Sequence, residues 1–462
     1  MKKYKLIFAL SALIFTVSCA DSFFELDPSD KVTSDKIYKT ASDYNIAVVG
    51  CYAKLQTQIS FYTECVEYRS DNMQLSAPTT GTQDRYDIDQ FQETASNGLL
   101  DDFWANFNNG VYRCNLILDQ VDVANFDETL KAQYKAEALF IRALTYFNMY
   151  RTWGGVPTTR KSVSIEESLK IPRSTKEEMY DLIVGDLKQI VDNNMLPNSY
   201  TGDNIGRATS GAAKALLGKV YLTFNKWTEA RDVLGQVVGK YSLLPNPADV
   251  FSVDNKMNNE IIFAIRFNKT VVGEGHGYWY SSTTATSPDF PPAQLIAVYD
   301  AADLRKDLIS FEKVGNTYMI KKYYDVADAS TNNTGNDFIL LRYADVLLMY
   351  AEALNEVAYN NSQTSEAMNA LTQVRERAGL QAIDIATLPN KDAFRKVLSE
   401  ERQREFPCEG HRWFDLVRMG YAKEVMATLG HTVNDYQLVY PIPQAEIEKI
   451  NDTSILWQNE GY

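Results

Sequence analysis

Histidine is close to absent: His276, His411 and His431 are the only three in 462 residues. That leaves little material for Ser-His or Cys-His catalysis, which needs an imidazole as general base. Cysteine is sparse as well, at Cys19, Cys51, Cys65, Cys114 and Cys408. No CxxC pair occurs, so no zinc site of Cys and His is expected, and no metal or cofactor is called for. The cysteine spacings form no small-domain framework, and the pairing of Cys51, Cys65, Cys114 and Cys408 stays open. Positive charge is in deficit, with a formal net charge of −14. Polyanion binders show a basic face, so no nucleic-acid partner is expected. Beyond the first residues no run approaches the roughly 20 apolar residues of a bilayer span.

The beginning of the chain is a different matter. Lys2, Lys3 and Lys5 precede an apolar run from Leu6 to Val17, which is too short to span and reads as an export signal over residues 1–18. It ends in Thr16-Val17-Ser18-Cys19, which resembles the lipobox of bacterial lipoproteins, with Thr16 in place of the usual Leu. Cys19 is therefore the expected lipidation site. Residues 19–36, acidic and with Asp27-Pro28, read as a lipidated tether.

Apolar spacing of three and four dominates the rest. It predicts helices over 37–58, 103–121, Leu130 to Trp153, 176–193 with Ser174 as N-cap, and after Glu424 irregular chain. Gly154-Gly155-Val156-Pro157 is a helix stop. Residues 76–99, with Pro78, Gly81 and Gly98, read as a long loop. Ala215 to Tyr221 followed by Trp227 to Val233 resembles a tetratricopeptide helix pair, with small residues where helices cross. A second pair is predicted at Leu341–Glu356 and Ser365–Ala378. Between them, Glu260 to Arg266 reads as a short strand.

Five segments in order carry a wider resemblance: Tyr134–Pro157, Arg207–Leu222, Leu341–Glu356, Glu400–Arg418 and Tyr440–Ile447 with the terminal Gln458–Tyr462. Together they resemble the SusD/RagB family of Bacteroidetes outer-membrane lipoproteins, departing from it at Pro407-Cys408. The resemblance implies an all-α fold, with tetratricopeptide-like helix pairs packed against a loop-rich ligand-binding region. It implies one body over 37–462, with helix pairs at about 130–240 and 340–420 and ligand loops at about 60–105 and 250–335. It implies a lipid-anchored position on the outer membrane at the cell surface. The implied partners are a SusC-like TonB-dependent transporter and a glycan, or a peptide in the RagB branch.

Individual motifs are weighed on their own chemistry. Glu400 to Arg418 holds several carboxylates and His411, but alternating Glu, Arg and Gln ahead of Trp413 and Phe414 reads as ion pairs around a buried aromatic anchor. No catalytic residue is assigned. Asp325 to Asp337 lacks the EF-hand register and reads as a solvated loop. Tyr278-Trp279-Tyr280, flanked by glycines, is the expected ligand platform, because flat aromatic faces stack on sugar rings. Asp71, Asn72, Arg85 and Tyr86 are the second expected set of ligand contacts. A glycosidase and a pure protein scaffold are the competing functions.

Overall fold

The computed structural model describes residues 38–462, apart from 76–77, 79–80, 275–291, 311, 315–316 and 332. Most long helices begin on a side chain that satisfies a free backbone N–H. Thr40 caps α1 (Ala41–Gln56), with Asp43 completing a reciprocal box. After α2 (Gln83–Asp89), Asn97 caps α3 (Gly98–Gln120) and Asp127 caps α4 (Glu128–Trp153). The cap of α5 (Lys176–Asp192) is Thr175 rather than Ser174, because Glu178 stands three residues on and closes the box. Ser174 instead shares a hydrogen bond with the Thr158 hydroxyl. Thr209 caps α6 (Ser210–Thr223), which turns into α7 (Trp227–Gly235).

Two further expectations shift. Residues 76–99 are not all loop: α2 forms there because Asp84 receives the Gly98 N–H and the Asn97 amide, tying it to the start of α3. Leu341 and Arg342 are not helical. They end β4 (Phe338–Arg342), which pairs antiparallel with β1 (Ile261–Ile265), the strand the sequence did predict. A second small hairpin joins β2 (Glu312–Val314) to β3 (Thr317–Met319). Beyond β4 come α8 (Tyr343–Val357), α9 (Glu366–Arg377), α10 (Lys391–Glu405) and α11 (Arg412–Met419). The C-terminal stretch after Glu424 is less irregular than expected, since Gln444–Ile450 is helical.

Helix takes 55% of the structure and strand 3%, so the all-α expectation holds. Helices pack in a continuous series: α3 on α4, α4 on α5, α5 on α6, α6 on α7, α7 on α8, α8 on α9. Contact between α7 and α8 spans the whole of residues 236–342. That stretch is thus an excursion from an otherwise unbroken helical array. At the α6–α7 crossing, a Cβ on Gly218 would lie 2.5 Å from the Leu234 side chain, so only glycine permits the approach. Cys51, Cys65, Cys114 and Cys408 are buried free thiols.

Candidate ligand-binding site

The excursion has a neck. Its two strands, β1 and β4, run side by side with Ile261 opposite Arg342 and Ile265 opposite Phe338. Directly outward, Asp337 accepts from the Phe267 N–H at 3.0 Å and from Lys256 Nζ at 2.8 Å, and pairs with Arg266 Nε at 2.6 Å. Further out, Lys269 Nζ lies 3.1 Å from Asp325 Oδ2, which also accepts the Gly335 N–H at 2.8 Å. Asn333 Nδ2 donates to the Val271 carbonyl at 2.8 Å, and the Thr331 hydroxyl donates to that of Lys269. Within the Asp- and Asn-rich stretch 325–337, residues 326–330 are the solvated loop expected, while Asp325, Asn333 and Asp337 act as a staple. It fixes residues 266–274, from which the chain departs towards position 275.

Apolar side chains rim the stapled loop pair. Val271, Val272, Tyr324 and Val326 are 43%, 83%, 42% and 70% exposed, an unusual concentration at the rim of one loop pair.

A buried ion network holds the neck to the helical body. Arg342 reaches Glu260 Oε1 at 3.0 Å, Glu405 Oε1 at 2.5 Å and Glu409 Oε2 at 2.7 Å. Arg305 pairs with Asp303, Glu401 and Glu405 at 2.8, 2.7 and 2.9 Å. Lys322 Nζ meets Glu409 at 2.7 Å and donates to the Glu405 and Pro407 carbonyls. Burial pushes the Glu405 carboxyl up, but Arg377, Arg342 and Arg305 outweigh it and hold it well below the usual range. Charges this deep are tolerable only when every one is paired. The acidic helix end at Glu400–Arg418 is thus an anchor, and the ion-pair reading of that segment is what the structure shows. Trp413 is fully buried beside it, and Arg402 bridges Asp345 and Asp415 at 2.8 and 2.7 Å. His411 Nδ1 lies 3.0 Å from Lys219 Nζ, and burial lowers its pKa well below the ordinary value.

The chain and its fold have known counterparts. A family model described as "SusD family" matches residues 266–462, and one described as "Starch-binding associating with outer membrane" matches 27–222. The chain belongs to the SusD/RagB family. A SusD-like protein of Formosa agariphila is 26% identical over 96% of this chain and 97% of its own. Among solved structures, a laminarin-binding SusD-like protein superposes with TM-score 0.78 at 24% identity, covering 92% of this chain and all of that one. Surface glycan-binding protein A from Bacteroides thetaiotaomicron, in complex with laminarihexaose, superposes at 0.76 with 21% identity, covering 90% of this chain and 99% of that one. At those identities the likeness establishes the fold.

In this SusD/RagB chain, Cys19 and Tyr278-Trp279-Tyr280 lie outside the described residues. The second expected set is described, and all of it is engaged within the protein. Asp71 is buried and receives Arg412 at 2.6 and 2.8 Å and Gln403 at 2.6 Å. Asn72 is buried and donates to Glu67 at 2.9 Å. Arg85 pairs with Glu64 at 2.6 Å, and the Tyr86 ring packs on the core. Nearer the neck, Tyr62 meets Phe338 at 5.1 Å, and Phe338 stacks on Tyr323 at 6.2 Å. A one-turn π-helix at Thr63–Glu67 follows Tyr62, a distortion that recurs at functional sites. Sequence reasoning missed the staple residues Asp325, Lys269 and Asp337. The Asp/Asn density of 325–337 was the only signal, and it does not reveal which cations the carboxylates meet.

Proposed function

We propose that this protein captures glycan at the cell surface and passes it, uncut, to a SusC-like TonB-dependent transporter, while a lipid on Cys19 holds it to the outer membrane. The observation that carries the reading is the platform. A stapled, apolar-rimmed loop pair leads straight into the segment bearing Tyr278, Trp279 and Tyr280. Rigid support lowers the ordering cost of binding, and aromatic faces suit the apolar faces of pyranose rings. Relatives of the same fold whose names state laminarin or laminarihexaose binding support a glycan over a peptide. Asp71, Asn72 and Arg85 are engaged within the protein, which favours the aromatic loop as the ligand contact.

Calorimetry against a panel of α- and β-glucans tests the loop. Trp279→Ala should weaken binding about tenfold or more, in line with about 1–3 kcal/mol for a lost stacking face, and leave the melting temperature unchanged. Equal affinity in the variant would remove Trp279 from the site. Cell fractionation tests the anchor: Cys19→Ala should release the protein from the membrane fraction, and continued membrane attachment would refute lipidation there.

A further inference from the structure

Away from the neck, a cavity of about 740 Å³ opens between the start of α6, the end of α7 and the approach to β1. That is within the usual range for small-molecule sites, about 300–1,000 Å³. Its lining has an unexpected charge. The chain as a whole is acidic, at −14, yet no Asp or Glu is among the described residues that line this cavity. Three cations are: Arg207, Lys214 and Lys240. Arg207 is neutralised from behind by Glu137 at 3.0 Å. Lys214 and Lys240 have no ion-pair partner among the described residues. The first turn of α6, at Ser210 and Gly211, also faces the cavity, and a helix N-terminus carries partial positive charge.

The uncharged part of the lining fits a polyhydroxylated molecule. Asn198, Ser199, Gln236 and Asn259 offer amides and hydroxyls, and Tyr241 offers a ring face.

We infer that this cavity is a second saccharide site, selective for sugars that carry carboxylate or sulfate. That the anion sits on a sugar rests on the proposed function; that the cavity takes an anion rests on its lining alone. Carboxylate and sulfate share the recognition chemistry, and two ligands separate them.

The test titrates the full protein with a uronic-acid oligosaccharide, a sulfated oligosaccharide and a neutral glucan. Acidic ligands should bind the wild type and lose at least tenfold in affinity in a Lys214→Ala/Lys240→Ala variant. Neutral-glucan binding should be the same in both. A Lys214→Arg/Lys240→Arg variant should restore acidic binding, and raised salt should weaken it. Binding of only one acidic sugar identifies which anion the cavity takes. Acidic sugars that bind the alanine variant as tightly as wild type would overturn the inference and leave the glycan-capture reading intact. Failure of all neutral glucans, with lysine-dependent acidic binding retained, would instead sink the neutral-glucan role of the aromatic loop. No acidic binding at all would overturn the cavity site.

Discussion

Asp89 shows how a single carboxyl can be stabilised in its neutral form. Burial pushes its pKa up to about 7, outweighing hydrogen bonds from Gln90 and the Leu75 backbone. Glu67, fully enclosed, is raised to about 7 by burial in the same way. A carboxyl raised on folding stabilises the protein fully at pH values below its unfolded pKa. That contribution is lost as pH rises through the folded value. For Asp89 the window runs from about 4 to about 7. Each such proton changes stability by up to about 1.4 kcal/mol per pH unit. In denaturant melts from pH 4 to 8, wild type should therefore lose stability relative to Asp89→Asn as pH rises. A wild-type-to-variant difference that is flat with pH would show that Asp89 titrates normally. At this scale the sequence was hardest to read. Asp71 and Arg412 are 341 positions apart, and nothing local to Asp71 announces a partner that distant. A polar residue between helices looks the same whether it faces a ligand or a buried arginine.

Helices, by contrast, were largely legible, because apolar spacing and cap residues are local signals. Asn97, Asp127 and Thr175 cap where side-chain chemistry allows, and the predicted spans for α4 and α5 end within a few residues of the observed ones. The start of α8 was misread for a non-local reason. Leu341 and Arg342 continue the helical pattern in sequence, but β1 and three carboxylates hold them extended. The short α2 was missed for a similar reason, since its support comes from the start of α3. Small residues at the helix crossing were read correctly. Gly218→Val should cost about 1–3 kcal/mol, because its branches enter space that Leu234 already fills. Equilibrium unfolding reads this directly, and an unchanged midpoint would mean that α6 and α7 can move apart freely.

For the molecule as a whole, the excursion over 236–342 matters most. Direct packing of α7 on α8 keeps the helical array continuous, so the excursion can carry ligand loops without breaking the body. Five ordered sequence segments were enough to read this family architecture. The helix pairs build the body, and Glu401, Glu405 and Glu409 hold the excursion to it through Arg305, Arg342 and Lys322. Capture without cleavage is the central claim. It is tested most directly by incubating the mature protein with size-defined glucans, separating the bound fraction, and sizing the recovered ligand by mass spectrometry. Saturable binding of at least one glucan, recovered at its original length, is the expected result. Shortened chains, or no binding across the panel, would contradict it.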